Sequence, residues 1–245
     1  RKTSMRTIIW FSYFWLYLLL MLPEYWKVKK LEQEGKREEH DKKVRYDVHN
    51  WASRLLSLAG AKIETRGKEN IPEGPVVFIG NHQGYFDIPL MITQMDKPNP
   101  LIAKKEIQKI PMIRSWMKEL RCIFIDRQDA RQSMDCLKQA QELLKEGYSV
   151  VIFPEGTRNN GGELLEFKAG AIRMATRAGV PIVPVCIEGS YRLMGKGSLW
   201  IHPADVKIQI LPPVSTENLS REEIRALPEK LREMVADGVN RLKQE

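Results

Sequence analysis

The stretch NHQGYFD, residues 81–87, follows directly on the apolar run PVVFIG, residues 75–80. A histidine, a glycine and a carboxylate presented at the end of a buried strand make a candidate general base, with His82 as the base and Asp87 as the anion that orients it. Positions five apart differ by about 140° around a helix axis. The two side chains therefore meet only across a turn, and Gly84 is placed to allow one. The following DIPLM opens like a helix, with Asp87 as N-cap and Pro89 in the first turn. Asp87 could be no more than that cap. The two roles are compatible, because a helix N-terminus also keeps a carboxylate ionised.

A second constellation is VVIFPEGTRNNGG, residues 150–162. Pro154 ends the strand-like run, and Glu155, Gly156, Thr157 and Arg158 follow at its carboxyl end, where open α/β sheets place their ligands. Arg158 can fork onto a phosphate or carboxylate. Backbone N–H groups near Gly156 could receive an oxyanion. In CIFIDRQDARQ, residues 122–132, Arg127 also trails an apolar run, and Asp126 could pair with either arginine. AKKEI places Lys104 and Lys105 after a fourth such run. Each cation alone reads as ordinary surface. Together they describe one site for an anion, a phosphate by preference, beside a base.

Other chemistries find no support. There is no G-x-S-x-G, so Ser190 in EGSY lacks the setting of a nucleophile. No P-loop and no G-x-G-x-x-G occur. Cys122, Cys136 and Cys186 lie far apart without a CxxC pair, which argues against a disulfide framework or a zinc site and for a reducing compartment. Net charge is +8, favouring anionic partners, but the aromatic-and-basic signatures of nucleic-acid modules are missing.

These residues need a scaffold. Beyond about residue 60, Val- and Ile-rich runs (PVVFIG, PLIA, CIFI, SVVIF, PIVPVCI, VKIQIL) alternate with helical stretches. The pattern predicts an α/β domain, residues 61–245, with a mixed, largely parallel sheet flanked by helices. Gly147 and Gly179 end two helices, SREE at 220–223 is a capping box, and Pro228 is expected to divide the C-terminal helical region in two.

Residues 1–60 are different material. The segment TIIWFSYFWLYLLLMLP, residues 7–23, carries no charge and is rich in Trp and Tyr, which favour the membrane–water boundary. Basic residues flank it: Arg1, Lys2 and Arg6 before, Lys27, Lys29 and Lys30 after. Farther on, Val44, Val48, Trp51, Leu55 and Leu58 recur at helical spacing. The expectation is a membrane-associated helical hairpin lying in one leaflet. A transmembrane anchor, a cleaved signal peptide, and simple packing of the second helix on the domain stay open beside it.

The ordered blocks at residues 74–190 resemble the glycerolipid acyltransferase family, in particular bacterial-type 1-acylglycerol-3-phosphate (lysophosphatidate) acyltransferases. NHQGYFD fits N-H-x4-D, CIFIDR fits F-I-x-R, FPEGTR fits E-G-T-R, and VPIVPV, residues 180–185, fits the fourth block. AKKEI looks like the family's lysine-bearing stretch. Arg121 stands where that family often has glycine. The resemblance implies an O-acyltransferase that moves a fatty acyl group from an acyl thioester to the free sn-2 hydroxyl of lysophosphatidate, giving phosphatidate. His82 would be the base and Asp87 its orienter. Lys104, Arg127 and Arg158 would hold the acceptor phosphate, and Glu155, Gly156 and Thr157 would shape that site. No metal and no cofactor are implied. The donor would be acyl carrier protein or acyl-coenzyme A, and the protein would sit on an anionic membrane surface with no nucleic-acid partner. Its expected place is the inner membrane of the cell or an equivalent, monotopic, with the active domain on the cytoplasmic face. Glycerol-3-phosphate or another lysophospholipid as acceptor, and a non-enzymatic lipid-binding scaffold, are the alternatives.

Overall fold

The structure, a computed structural model, describes residues 2–97 and 100–245; Arg1, counted above in the basic flank, lies outside them. All six apolar runs form strands: β2 (Val77–Gly80), β3 (Ile102–Lys104), β4 (Ile123–Ile125), β5 (Val150–Ile152), β6 (Ile182–Glu188) and β7 (Ala204–Ile210). A further strand, β1 (Ala61–Arg66), was not anticipated. It has only Ile63 as a large aliphatic side chain. Lys62, Glu64 and Arg66 face solvent in alternation, as a half-covered edge strand requires.

The strands β1, β7, β6, β2 and β5 are neighbours in that order. The β3–β4 ladder continues from β5 through a bridge between Leu101 and Val151. Every pairing is parallel except β6 with β7. The sheet is therefore mixed and largely parallel, as expected. Because β2 to β6 all run the same way, the segments that follow them gather at one edge.

Helices cover both faces. Val77 and Ile79 of β2 join a core with α6 (Ala130–Lys145), α7 (Ala169–Ala178) and α8 (Arg221–Gln244), while Phe78 joins the opposite core. That second core is built with α4 (Asp87–Gln94) and the end of α3 (Arg37–Ala59). Gly147 (φ +97°) follows the end of α6 and Gly179 (φ +67°) caps α7. Ser220 and Glu223 form the capping box of α8.

Pro228 does not divide α8; the helix is continuous from Arg221 to Gln244. Proline removes one N–H and crowds the preceding turn. Leu227, Leu231, Val235, Val239 and Leu242 all point into the core, and that burial outweighs the lost hydrogen bond.

The N-terminal residues form α1 (Lys2–Leu20) and α2 (Leu22–Gln33), bent by 43° from each other, and the chain reverses at Gly35 (φ +70°) into α3. Among the described residues no single helix is long and apolar enough to cross a membrane; α1 and α2 pass that test only as a bent pair. One side of α1 packs inward, with Trp10 and Leu18 buried and Trp10 Nε1 donating to Leu55 O at 2.9 Å. The other side exposes Met5, Ile8, Ile9, Trp15, Leu16, Leu19 and Leu20, a stripe at helical spacing. The apolar face of α3 is spent inside the protein: Val44, Val48, Leu55 and Leu56 are buried. Of the readings left open for that helix, packing on the domain is the one realised.

Candidate active site

At the end of β2, Asn81 carries on the sheet with its side chain: Nδ2 donates to Ile187 O and Oδ1 accepts from Ile187 N, both at 2.8 Å. The backbone is thus locked to β6 at the point where it turns into residues 82–87. The His82 imidazole donates through Nδ1 to Asp87 Oδ2 at 2.6 Å. Its ring lies against Phe153, with centroids 4.3 Å apart and planes 15° apart. Held on one nitrogen and one face, the ring offers Nε2 as the remaining base.

Asp87 is not an N-cap. Phe86 holds the cap position, and Asp87 is the first helical residue with its carboxylate turned back into the preceding loop. There Oδ2 also accepts from Gln83 N (2.6 Å) and Gly84 N (2.9 Å). Three donors converging on one buried anion outbid the helix's own N–H groups. Gly84 does not use a left-handed conformation either. A Cβ there would lie 3.2 Å from Tyr191 Cα, so the glycine serves close approach.

After β5, Glu155 points inward instead of toward the cavity. Its carboxylate accepts from His82 N (2.8 Å), Leu165 N (2.9 Å) and Asn159 Nδ2 (3.0 Å). Burial raises its pKa, and the N–H donors of Leu165 and His82 oppose that rise. Glu155 therefore ties the two loops together. Glu155→Ala leaves the buried N–H of His82 and the partly buried N–H of Leu165 without an acceptor, at about 1–3 kcal/mol for a fully buried group. The expected result is a loss on the order of 3 kcal/mol, read as a fall of roughly 6–12 °C in Tm. A Tm within about 2 °C of the parent contradicts the strut role.

Gly156 adopts φ +82°, and a Cβ on it would press on the Lys168 side chain, at 3.0 Å from Cε and 3.1 Å from Nζ. Its N–H, a candidate oxyanion donor in the sequence, is engaged with Phe153 O at 3.2 Å. Thr157 is half-buried in the same turn. Arg158 sits over the Tyr85 ring, its Cζ 3.7 Å from the centroid.

The cations gather as the parallel strands require. Burial, followed by repulsion from Arg127 and Arg158, lowers the Lys104 pKa. Burial also lowers that of Arg127. One terminal nitrogen on each of Arg127 and Arg158 is buried and finds no hydrogen-bond partner among the described residues. Such groups can receive an anion. Lys105 is withdrawn from this cluster: it pairs with Asp126 at 2.5 Å. Asp126 therefore pairs with neither arginine; its position after β4 turns it outward to Lys105 and to the N–H of Gln128.

A cavity of about 570 Å³ opens beside His82. One end is lined by His82, Tyr85, Lys104, Arg127 and Arg158. The remainder is apolar apart from Glu106, walled by Phe11, Phe14 and Leu18 of α1, Trp51 of α3, Ile92 of α4 and Trp116 of α5 (Ile113–Glu119). Sequence reasoning did not anticipate Phe153, Tyr85 or Lys168. Tyr85 stood inside the opening block, and Phe153 was read only as the end of a strand. The cysteines are free and buried, and burial pushes the thiols of Cys122 and Cys186 up to about 12, which leaves them unreactive. Arg121, at the family's glycine position, adopts φ +66°, the conformation glycine favours, while its side chain bonds Asp41 at 2.9 Å.

The family model described as Acyltransferase matches residues 62–188. A chloroplastic 1-acyl-sn-glycerol-3-phosphate acyltransferase of Brassica napus is 37% identical over 167 residues, covering 67% of this chain and 48% of the plant protein. The chain thus spans about half the length of that relative, and likewise of its Arabidopsis thaliana counterpart. A 1-acyl-sn-glycerol-3-phosphate acyltransferase of Borreliella burgdorferi is 32% identical over 189 residues, covering 77% of this chain and 76% of that protein. The crystal structure of the 1-acyl-sn-glycerophosphate (LPA) acyltransferase PlsC from Thermotoga maritima superposes with a TM-score of 0.86 at 29% identity, over 100% of this chain and 97% of that one. The family model spans more than half of the chain, the Borreliella burgdorferi relative matches along three quarters of both chains, and the chain thus belongs to the acyltransferase family that takes in these 1-acyl-sn-glycerol-3-phosphate acyltransferases.

Proposed function

We propose that this protein is an O-acyltransferase that moves a fatty acyl group from an acyl thioester, carried by acyl carrier protein or coenzyme A, to the free sn-2 hydroxyl of lysophosphatidate, giving phosphatidate. The observation that carries this reading is the place of His82. Its ring stands where Lys104 and two arginines, each with a buried nitrogen free of hydrogen bonds among the described residues, meet a largely apolar cavity. A phosphate on Arg127, Arg158 and Lys104 sets the acceptor's hydroxyl beside the imidazole, and the cavity takes an acyl chain. Nε2 accepts the hydroxyl proton as the oxygen attacks the thioester carbonyl. The new C–O bond forms, the C–S bond breaks, and the thiolate leaves with the proton that Nε2 returns. A general base of this kind supplies about 10²–10⁴ in rate; holding both substrates in register supplies much of the rest.

The exposed stripe of α1 gives the reaction its surface. Tryptophan and leucine facing outward on a helix flanked by lysine and arginine suit the interface of an anionic leaflet. We place the protein on the cytoplasmic face of the inner membrane or its equivalent, bound to one leaflet through the α1 stripe of the N-terminal residues 1–60. Deleting those residues would open the core, because Trp10, Leu18 and Val28 are buried. The better probe is Ile8, Leu16 and Leu20→Ser together. Each side chain contributes about 1.5 kcal/mol or more when buried, so partition onto phosphatidylglycerol vesicles falls on the order of 10³-fold. Unchanged sedimentation with the vesicles rules the stripe out as the anchor.

Thiol release from acyl thioester tests the function itself, run with both donors, with and without lysophosphatidate. Release that depends on lysophosphatidate and yields phosphatidate supports the reading. Release driven only by glycerol-3-phosphate or by a lysolipid with a larger head group moves the acceptor, and no release with any acceptor leaves the scaffold alternative standing.

A further inference from the structure

Asp87 is fully buried, and its two oxygens are served from different parts of the chain. Oδ2 takes its donors from the loop of His82, Gln83 and Gly84. Oδ1 is served from across the sheet, where the buried Ser190 hydroxyl donates to it at 2.5 Å from 103 positions farther along. Gly189 makes this possible. It ends β6 at φ +99°, and a Cβ there would come within 2.3 Å of Asp205 O, so only glycine turns Ser190 under the carboxylate. Gln83 fastens the two segments again. Its Oε1 accepts from Gly189 N at 2.9 Å, and its Nε2 donates to Glu188 Oε2 at 3.0 Å. Glu188 Oε1 in turn accepts from Arg192 at 2.9 Å.

We propose that Ser190 is a positioning residue for acyl transfer, the third member of a His82–Asp87–Ser190 unit, holding Asp87 in the rotamer in which Oδ2 meets His82 Nδ1. This rests on the reading of His82 as the base. Ser190 forms no bond to substrate and keeps its proton throughout; it is no nucleophile, because its hydroxyl is spent on Asp87. Its effect falls on the transition state. The positive imidazolium that Asp87 steadies exists only once the acceptor proton has moved, so ground-state binding of either substrate does not depend on it.

The test uses the full chain with Ser190→Ala, Ser190→Thr and His82→Ala, assayed for thiol release with lysophosphatidate. Ser190→Ala leaves a buried carboxylate oxygen without its donor. The expected kcat falls about ten- to a hundred-fold, with both KM values within about two-fold of the parent. The downfield proton resonance of His82 Nδ1 changes position with it. Ser190→Thr keeps the hydroxyl and is expected to recover kcat to within about three-fold. A normal kcat in Ser190→Ala overturns the proposal, as does a Ser190→Thr no faster than Ser190→Ala, or a loss confined to KM. Should Ser190→Ala fail to fold, Ser190→Cys reads the same split with a weaker donor, and a full parental kcat there is equally fatal. A dead His82→Ala beside a normal Ser190→Ala overturns this inference alone; an active His82→Ala overturns the base assignment beneath it.

Discussion

His82→Ala is expected to lower kcat for acyl transfer by about 10³-fold, within the range a positioned base supplies. The substitution removes the nitrogen proposed to take the acceptor's proton. It is expected to leave the lysophosphatidate KM within about three-fold, because the cations proposed to hold the phosphate follow other strands. The fold should survive. Asp87 still has Gln83 N, Gly84 N and Ser190 Oγ as donors, and Glu155 still accepts from the backbone N–H of residue 82. Phe153 loses its stacking partner, a cost of about 0.5–1.5 kcal/mol. Turnover near the parental rate, in a folded variant that still binds vesicles, refutes the base assignment.

Arg158→Ala is the second large effect. Its guanidinium sits over Tyr85 with one nitrogen buried and unpaired among the described residues, so an incoming phosphate would meet a preorganised donor. Truncating one partner of a buried, hydrogen-bonded charge pair costs about 2–5 kcal/mol, or roughly 30- to several thousand-fold in kcat/KM for the acceptor. The loss is expected in the acceptor KM, with the donor KM within about three-fold. Arg158→Lys should recover little, because an ammonium neither stacks on the tyrosine nor forks onto two phosphate oxygens. A rise confined to the donor KM would move Arg158 to the thioester side of the site.

Much of this site was legible from single blocks of residues. His82 and Asp87 stand five apart in one loop, and the loop chemistry that joins them is local. Arg158 and Glu155 follow a proline that ends a strand, and Arg127 and Lys104 follow other apolar runs. The sense of these side chains was harder to read. Asp87 looked like a cap and is a hub. Glu155 looked like a wall of the acceptor site and is a strut behind it, because His82 N and Leu165 N reach it from segments whose approach no local pattern announces. Asp126 looked available to the arginines and belongs to Lys105. Pro228 looked like a break in a helix whose apolar face holds it together.

What the chain's own pattern determined was the set of elements and their chemistry. Short Val- and Ile-rich runs between amphipathic helices dictate a covered, largely parallel sheet. A parallel sheet sends every following loop to one edge, so the base and the cations had to meet. What only tertiary structure decided was whatever depends on contacts between distant positions. The Ser190 hydroxyl on Asp87, Phe153 against the imidazole, and the cavity closed by α1 and α3 are of this kind. The physical reason is the range of the forces involved. Hydrophobic periodicity and turn chemistry act over a few residues and leave a trace in sequence order. A hydrogen bond between residues 87 and 190 exists only after the whole sheet has brought them together, and nothing in their local sequence is spent on it.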